Sequence, residues 1–471
     1  MEQDKDLAAR QEARELCRRA LAAQKILGEM PQEKLDAIVE TVAAAFAAGA
    51  EELGRMASEE TGFGNASDKA VKNRFASATV AKAIRDMRVV GHLGEDREKK
   101  VMEIGVPVGV IAAIVPSTNP TSTVCYKALI ALKSGNAIVF SPHPKALGCT
   151  MAAAKLVAAA AERAGAPAGC VACLTIPSID GCQELMAAPE IRLILATGGP
   201  GMVKAAYSSG KPAIGVGAGN GPAYIHRSAD VKTALARILR SKIFDNGTVC
   251  ASEQSIMVEH PMEQTVRTAA AGMGYYFMNR EESSALASLL FRPGGALNPA
   301  VVGRTAMHLA KLAGFSVPEG TKILVGEETG VGAGHPYSME KLCPVLGFYV
   351  LENEQAVLEK AMEVLHHEGA GHTFAIHAED RAVVERFAKR IPVSRFLVNV
   401  PAALGGIGAE TGLFPALTLG CGAVGGSSSS NNVGPMDLVN IRRVAWGTEQ
   451  EAAPQDDLVE QITRKILERL K

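Results

Sequence analysis

The chain has 471 residues, too many for one ordinary core, and its 49 basic and 50 acidic side chains nearly cancel. That balance argues against a nucleic-acid or membrane-surface protein, which carries a basic patch, and no apolar run reaches the ~20 residues that a membrane-spanning helix needs. Aromatic residues make up 4% and glycine occurs 47 times, a composition that suits alanine-rich helices packed on glycine-punctuated strands.

Residues 5 to about 60 read as helical. Ala9, Ala13, Leu16, Cys17, Ala20 and Leu21 recur at helical spacing, Pro31 opens a further helix, and Leu35, Ile38, Val39 and Val42 continue its face. A charged helix follows over 69–86. Val101-Met-Glu-Ile-Gly-Val-Pro-Val-Gly-Val reads as a strand pair broken at Gly105-Val-Pro107. A βα rhythm then begins. Strand 110–115 is apolar throughout, as in a parallel sheet buried on both faces. Pro116-Ser-Thr-Asn-Pro120 turns into a helix over 121–132. Strand 137–140 ends in Ser141-Pro-His-Pro-Lys145, a helix spans 150–164, and strands 170–176 and 192–197 follow, the second ending in Thr197-Gly-Gly-Pro-Gly201. This alternation predicts a doubly wound, mostly parallel sheet.

Segments 213–216 and 223–225 bracket the glycine-rich run Gly215-Val-Gly-Ala-Gly-Asn-Gly221. Helix 231–242 leads into Phe244-Asp-Asn-Gly-Thr-Val-Cys250-Ala-Ser-Glu-Gln254, and a second βα region runs from Ser255 to about Cys421. Gly425-Gly-Ser-Ser-Ser-Ser-Asn-Asn432 reads as a loop and 435–446 as a late strand. Residues 448–457 are polar and aperiodic, a linker. Leu458, Val459, Ile462, Ile466, Leu467 and Leu470 then share one face of a short amphipathic helix over 458–471, with charged residues mainly on the other. So short a helix is marginal alone in water and needs a surface, either the protein's own body or a partner.

Nine cysteines at irregular spacing read as reduced and intracellular rather than as a disulfide framework. Cys170 and Cys173 form a lone C-x-x-C without a second pair or a neighbouring His, so no metal site is expected. The first thirty residues are charged and helical, so no signal peptide is expected and the protein reads as soluble and cytoplasmic. Cys250 is open, on spacing alone, between a core cysteine and a nucleophile. The first βα turn is not G-x-G-x-x-G, so the dinucleotide fingerprint is absent where it belongs.

From about residue 10 to 447 the chain resembles the aldehyde dehydrogenase superfamily, and within it the CoA-acylating branch. Five segments match in the family's order. Pro116-Ser117-Thr118-Asn119-Pro120 is similar to the segment whose Asn helps form the oxyanion hole. Ser141-Pro142-His143-Pro sits where the family contacts the adenosine ribose, and Thr197-Gly198-Gly199-Pro is similar to its pyrophosphate-side turn. The Cys250 segment is similar to the branch's nucleophile motif. Glu340-Lys-Leu-Cys-Pro-Val is similar to the segment whose Glu holds the nicotinamide ribose, and Gly217 joins the same cofactor set.

The resemblance implies an α/β fold, aldehyde dehydrogenase-like, with two doubly wound Rossmann-like domains plus a small β oligomerisation flap. A cofactor domain would span 1–235, with 99–110 in the flap. A catalytic domain over 236–433 would carry Cys250, and strand 434–447 would pair between subunits of a homodimer or homotetramer. The implied reaction joins a short aldehyde, acetaldehyde or propionaldehyde, to CoA reversibly, through a thioester on Cys250. NAD is the expected cofactor; NADP stays open, because Ser141 stands where many members place a ribose-binding Lys.

Hydrolytic members carry a Glu base in an E-L-G-G-K segment, and the matching position here is Gly215. Hydrolysing a thioester needs a base to activate water. A thiol is already a few per cent thiolate at neutral pH, so CoA is the favoured acceptor. His372, in Gly369-Ala-Gly-His-Thr373, is a candidate to help deprotonate CoA. The terminal helix resembles encapsulation peptides, implying contact with shell or cargo proteins inside a bacterial microcompartment. Two alternatives accompany this reading. One is a substituted aldehyde such as sulfoacetaldehyde, which calls for cationic side chains converging in the pocket. The other is an inactive scaffold, against which the intact Asn119, Cys250 and Glu340 argue.

Overall fold

A computed structural model describes residues 4–448 and 455–470 of the chain. Three helices, Lys5–Leu27, Gln32–Ala48 and Ala50–Thr61, open it, and the alanines Ala9, Ala13 and Ala20 of the first are fully buried. The helix Ala66–Arg74 follows, capped by Asn65, whose side chain accepts from the Asp68 N–H. It runs on through a π-turn at Phe75–Thr79 into Val80–Ile84.

Strands β1 (Gly91–Asp96) and β2 (Val101–Pro107) form an antiparallel hairpin. Five strands then make a parallel sheet: β3 (Val110–Ile114), β4 (Ala137–Ser141), β5 (Val171–Cys173), β6 (Ile191–Thr197) and β7 (Ala213–Val216), in the order β5-β4-β3-β6-β7. Seven more make a second parallel sheet: β8 (Gly221–Ile225), β9 (Glu253–Glu259), β10 (Tyr275–Phe277), β11 (Ile323–Glu327), β12 (Val345–Leu351), β13 (Gly371–His377) and β14 (Val393–Val398), in the order β10-β11-β12-β9-β8-β13-β14. Finally β15 (Val439–Ala445) returns to pair with β2, completing a three-stranded flap. The fold is the α/β architecture expected, two doubly wound units and a small flap.

The first sheet winds from β3 through β4 to β5, then resumes on the other side of β3 with β6 and β7. Such a reversal opens a crevice at the carboxyl ends of the strands, here between β3 and β6. Lys127, fully buried on the helix Pro120–Lys133, ties that place together: its Nζ donates to the carbonyls of Ile114 at 2.8 Å and Leu195 at 2.9 Å.

Three expectations change. Residues 101–107 are one unbroken strand rather than a pair, and the missed partner is the polar β1. Gly105 keeps the strand intact, because a Cβ there would lie 2.0 Å from the Val89 carbonyl oxygen. The boundary expected at 235 comes earlier: β8 already pairs with β9 and β13, so the chain enters the second sheet by Gly221, through the glycine-rich run. The expected linker falls largely on 449–454, outside the described residues. Beyond it the helix Gln455–Arg469 forms, and Leu458, Val459, Ile462, Ile466, Leu467 and Leu470 are each more than half exposed, so its apolar face does not lie on the body. No described helix is long and apolar enough to cross a membrane.

Candidate active site

The turns after β3, β4, β6 and β7 converge on one cavity of about 380 Å3, and the segment before β9 supplies its floor. Pro116, Ser117, Thr118, Asn119, His143, Thr197, Gly198, Gly199, Gly217, Cys250 and Glu340 line it, all positions expected from sequence. Phe63, Lys72, Lys145 and Val216, together with an apolar wall of Leu297, Pro299, Val302, Ile407, Leu417 and Leu419, line it too and were not.

Three expected residues do not reach the cavity. Ser141 is the buried last residue of β4, with its carbonyl accepting from the Val115 N–H at 3.0 Å, and Pro142 follows it. His372 lies on β13, buried on both faces. Its Nδ1 is 2.9 Å from Thr373 Oγ1 and its Nε2 is buried without a partner. Burial, aided by the Arg395 guanidinium, pushes His372 down to about 3. So placed, it belongs to the sheet and is not among the residues that line the cavity.

The nucleophile segment is held in an uncommon shape. Asp245, Asn246 and Gly247 take left-handed φ values of 48°, 51° and 78° in succession, a conformation that persists in non-glycine residues only where surroundings impose it. They do so here. Asn246 Nδ2 donates to the Gly303 carbonyl at 2.9 Å. The fully buried Asp245 carboxylate accepts from the Asn65 N–H at 2.9 Å, from Thr248 Oγ1 at 2.7 Å, and from the ammonium groups of Lys69 and Lys72. Gly64 leaves room for it, since a Cβ there would sit 1.8 Å from Asp245 Oδ1. Burial works to raise the Asp245 carboxyl, but Lys72 and Lys69 outweigh it and hold it below the usual carboxylate range.

Asn119 is the N-cap of the helix Pro120–Lys133, yet its side chain does not cap it. Asparagine in that place ordinarily accepts from the helix's first amides. Here the amide turns to the nucleophile segment: Nδ2 donates to the Thr248 carbonyl at 3.2 Å, and Oδ1 accepts from Lys72 Nζ at 2.6 Å. Asn119 and Cys250 line the same cavity.

Cys250 itself is half-buried at the end of that segment. Gly219 allows the close approach, because a Cβ there would lie 1.9 Å from the Cys250 carbonyl oxygen. Burial, then the neighbouring Glu340, push the thiol up to about 12, with Arg395 and Lys72 opposing. Among the described residues lining the cavity Glu340 is the one carboxylate. Its Oε1 accepts from the Gly219 N–H at 2.9 Å, and burial, then Glu368, push it up to about 8.

The crevice fits a nucleotide. Thr197 Oγ1 is buried there with no partner, and nothing lies within 4 Å of a Cβ built on Gly199 or Gly217. Gly199 caps the helix Pro200–Ser208; Pro200 has no N–H and the Met202 and Val203 amides bond the Gly199 carbonyl, which leaves the Gly201 amide in that turn to face a phosphate. One reading is corrected. A Cβ at Gly215 would lie 2.7 Å from Val203 Cγ1 and 2.8 Å from Tyr207 Cε2, so that position faces the helix Pro200–Ser208, away from Cys250. Alternation along β7 turns the next residue, Val216, to the cavity. The residue of β7 that faces the cavity is therefore Val216, and it too lacks a carboxylate.

A doubly wound α/β fold whose nucleotide-type crevice opens onto a single cysteine defines the class, a dehydrogenase fold built around a thiol. A sequence model described as the aldehyde dehydrogenase family matches residues 4–274, and the chain belongs to that family. It is 46% identical over 439 residues to the bifunctional aldehyde-alcohol dehydrogenase AdhE of Escherichia coli strain K12, a match covering 92% of this chain and 49% of that protein. The chain thus spans about half the length of the first curated relatives it matches. Among solved structures, an acetylating aldehyde dehydrogenase from Geobacillus thermoglucosidasius superposes with a TM-score of 0.93 at 49% identity, covering 95% of this chain and 99% of that one. A propionaldehyde dehydrogenase from the Clostridium phytofermentans fucose utilisation bacterial microcompartment superposes with a TM-score of 0.82 at 28% identity, covering 91% and 96%.

Proposed function

We propose that this chain is a CoA-acylating, NAD-dependent aldehyde dehydrogenase for acetaldehyde or propionaldehyde. The observation that carries this is the cavity's chemistry: a thiol, Cys250, with one carboxylate, Glu340, already engaged by the Gly219 N–H. The lining bases Glu340 and His143 each accept from a backbone N–H, and β7 offers the cavity no carboxylate, so a thiol is the acceptor the site suits. The names of the acetylating and propionaldehyde relatives support the same reading.

Cys250, having given its proton to solvent, bonds through the Sγ thiolate to the aldehyde carbon as the carbonyl π pair moves onto oxygen. The oxygen that gains charge is met by Asn119 Nδ2 and the Cys250 N–H, each such donor contributing about 3 kcal/mol. NAD, when bound, supplies the hydride acceptor that turns this adduct into a thioester. The orphan hydroxyl of Thr197, the open glycines Gly199 and Gly217, and Glu340 are the groups that would hold it. Cys250 then leaves as thiolate when the CoA sulfur attacks the acyl carbon. One thioester replaces another, so the reaction runs in both directions. Lys145 and His143 line the crevice after β4 and, among the described residues, no acidic side chain does, which suits NADP as well as NAD.

The apolar wall favours an uncharged aldehyde over sulfoacetaldehyde. Lys72 and Lys145 are the lining cations, and Lys72 is already engaged by Asp245, Asn119 and Thr248. The expected result is that purified protein with propionaldehyde and NAD stops after about one NADH per site and turns over continuously only when CoA is added. Rapid turnover without CoA would sink the reading.

The exposed apolar face of Gln455–Arg469 supports its use as an encapsulation peptide toward a microcompartment shell or cargo protein. Removing 448–471 should leave kcat and KM unchanged while abolishing co-sedimentation with shells; lost solubility would instead assign the helix to the body. The free edge of β15, with Ile441, Val444 and Trp446 exposed, supports pairing between subunits of a dimer or tetramer.

A further inference from the structure

We infer that Lys72 is a positioning residue for the oxyanion donor, gripping Asn119 Oδ1 so that Nδ2 faces the carbon attacked by Cys250, and tying that donor to the nucleophile segment through Asp245. This rests on the roles proposed above for Cys250 and Asn119.

Lys72 sits on the helix Ala66–Arg74 at 3% exposure, yet lines the cavity. Its ammonium has three protons and three acceptors: Asn119 Oδ1 at 2.6 Å, Thr248 Oγ1 at 3.1 Å, and Asp245 Oδ2. An ammonium only donates, so the amide atom it touches must be the oxygen. That contact removes the flip ambiguity of an asparagine and leaves the NH2 pointing the other way. Nδ2 meets Thr248 O at 3.2 Å and Thr118 Oγ1 at 3.3 Å, both long, so an N–H is free to turn to a stronger acceptor. A charge-assisted bond to the amide oxygen also draws electrons from the amide, which makes its N–H a better donor.

The fixture reaches both partners of the reaction. Lys69, three residues earlier on the same helix face, donates to the Thr118 carbonyl at 2.8 Å and to Asp245 Oδ2 at 3.0 Å. The two lysines therefore hold the turn that bears Asn119, and through one buried carboxylate they hold the segment that bears Cys250. The geometry speaks against Lys72 as a proton acceptor. All three of its protons are committed, and giving one up would strand Asp245 beside a neutral amine. Its role is transmitted through Asn119.

A double-mutant cycle tests this, read as the rate of the first NADH burst with propionaldehyde and NAD before CoA is added. Asn119→Ala should slow the burst by about 10²- to 10³-fold, the loss typical of one oxyanion donor. Lys72→Met should slow it by about 10- to 100-fold with the aldehyde KM nearly unchanged, and the double variant should be no slower than Asn119→Ala alone within about twofold. Multiplying losses, or a full burst rate in Lys72→Met, would overturn the inference. If Asn119→Ala alone keeps the full rate, the oxyanion reading fails first, which separates the two. Lys69→Met is the control for general loosening, because it touches the Thr118 carbonyl and Asp245 but not the Asn119 amide. It should cost the burst several-fold less than Lys72→Met, and an equal loss counts against the inference. If Lys72→Met folds poorly, pairing it with Asp245→Asn removes the stranded carboxylate, and the same cycle with Asn119→Ala is run in that background.

Discussion

Cys250→Ala should lose aldehyde-dependent NADH formation by about 10⁴-fold or more, since removing a nucleophile eliminates the covalent route and leaves only binding and oxyanion stabilisation. The fold should survive. Cys250 is half-buried at a cavity, and its neighbours are fixed by backbone and carboxylate contacts rather than by the thiol. The melting temperature should therefore stay near that of the wild type, and Asn119 should keep its bond to Thr248. The wild-type thiol carries a second expectation. Burial and Glu340 hold it up to about 12, so in the protein without ligand the thiol form dominates at neutral pH. A raised pKa means that the reactive thiolate grows with pH, about tenfold per unit until the pKa is neared. Alkylation by iodoacetamide, followed by mass spectrometry at Cys250, should climb through pH 7 to 9 without a plateau. A flat profile there would mean a thiolate already formed, and would place the activating charge nearer to Sγ than Lys72 and Arg395 stand. Appreciable turnover by Cys250→Ala would remove the thioester from the mechanism altogether.

Much of the site was legible because the chemistry sits in turns with unusual composition. Pro116-Ser-Thr-Asn-Pro120 and Thr197-Gly-Gly-Pro each end an apolar strand, the Cys250 segment leads from a helix into one, and all three reach the cavity. What stayed hidden is what composition disguises. Lys69 and Lys72 look like solvated charges on a polar helix, yet they are 2% and 3% exposed, because Asp245 is 173 residues beyond Lys72 and only the fold brings it there. The strand β1 is Gly-His-Leu-Gly-Glu-Asp, with no alternating apolar face, because it flanks a flap rather than a core. His372 shows the reverse error. A histidine among glycines suggests a reactive loop, but Gly369-Ala-Gly371 brings the chain into β13, and the imidazole becomes part of the sheet. Gly371 permits this at a φ of 77°, a value glycine takes without strain.

The misplaced hydrolytic base is the most useful of these errors, because it is an error of one residue and one residue reverses a strand's face. Val216→Glu should therefore behave unlike Gly215→Glu. At Gly215 the new side chain would drive into Val203 and Tyr207, and overpacking of that kind costs about 1–3 kcal/mol, visible as a lowered melting temperature. At Val216 it would enter the cavity beside Gly217 and Ala218. Burial there raises a carboxyl toward neutrality, which suits a general base. With propionaldehyde, NAD and no CoA, the wild type should release about one NADH per site and stall on the thioester, as expected of acyl-enzyme accumulation. Val216→Glu should keep turning over, with water-dependent release faster by about 10²- to 10⁴-fold, the usual contribution of a positioned base. Acetate or propionate, rather than acyl-CoA, would then appear as product. If a folded Val216→Glu still stalls, the thioester is guarded by something other than the missing carboxylate. Leu417, Leu419 and Ile407 form an apolar wall of the same cavity, and exclusion of water by that wall is then the alternative to test. Opening it with Leu419→Ala in the Val216→Glu background would then release the acyl group, and that pair of results separates a site lacking a base from a site lacking water.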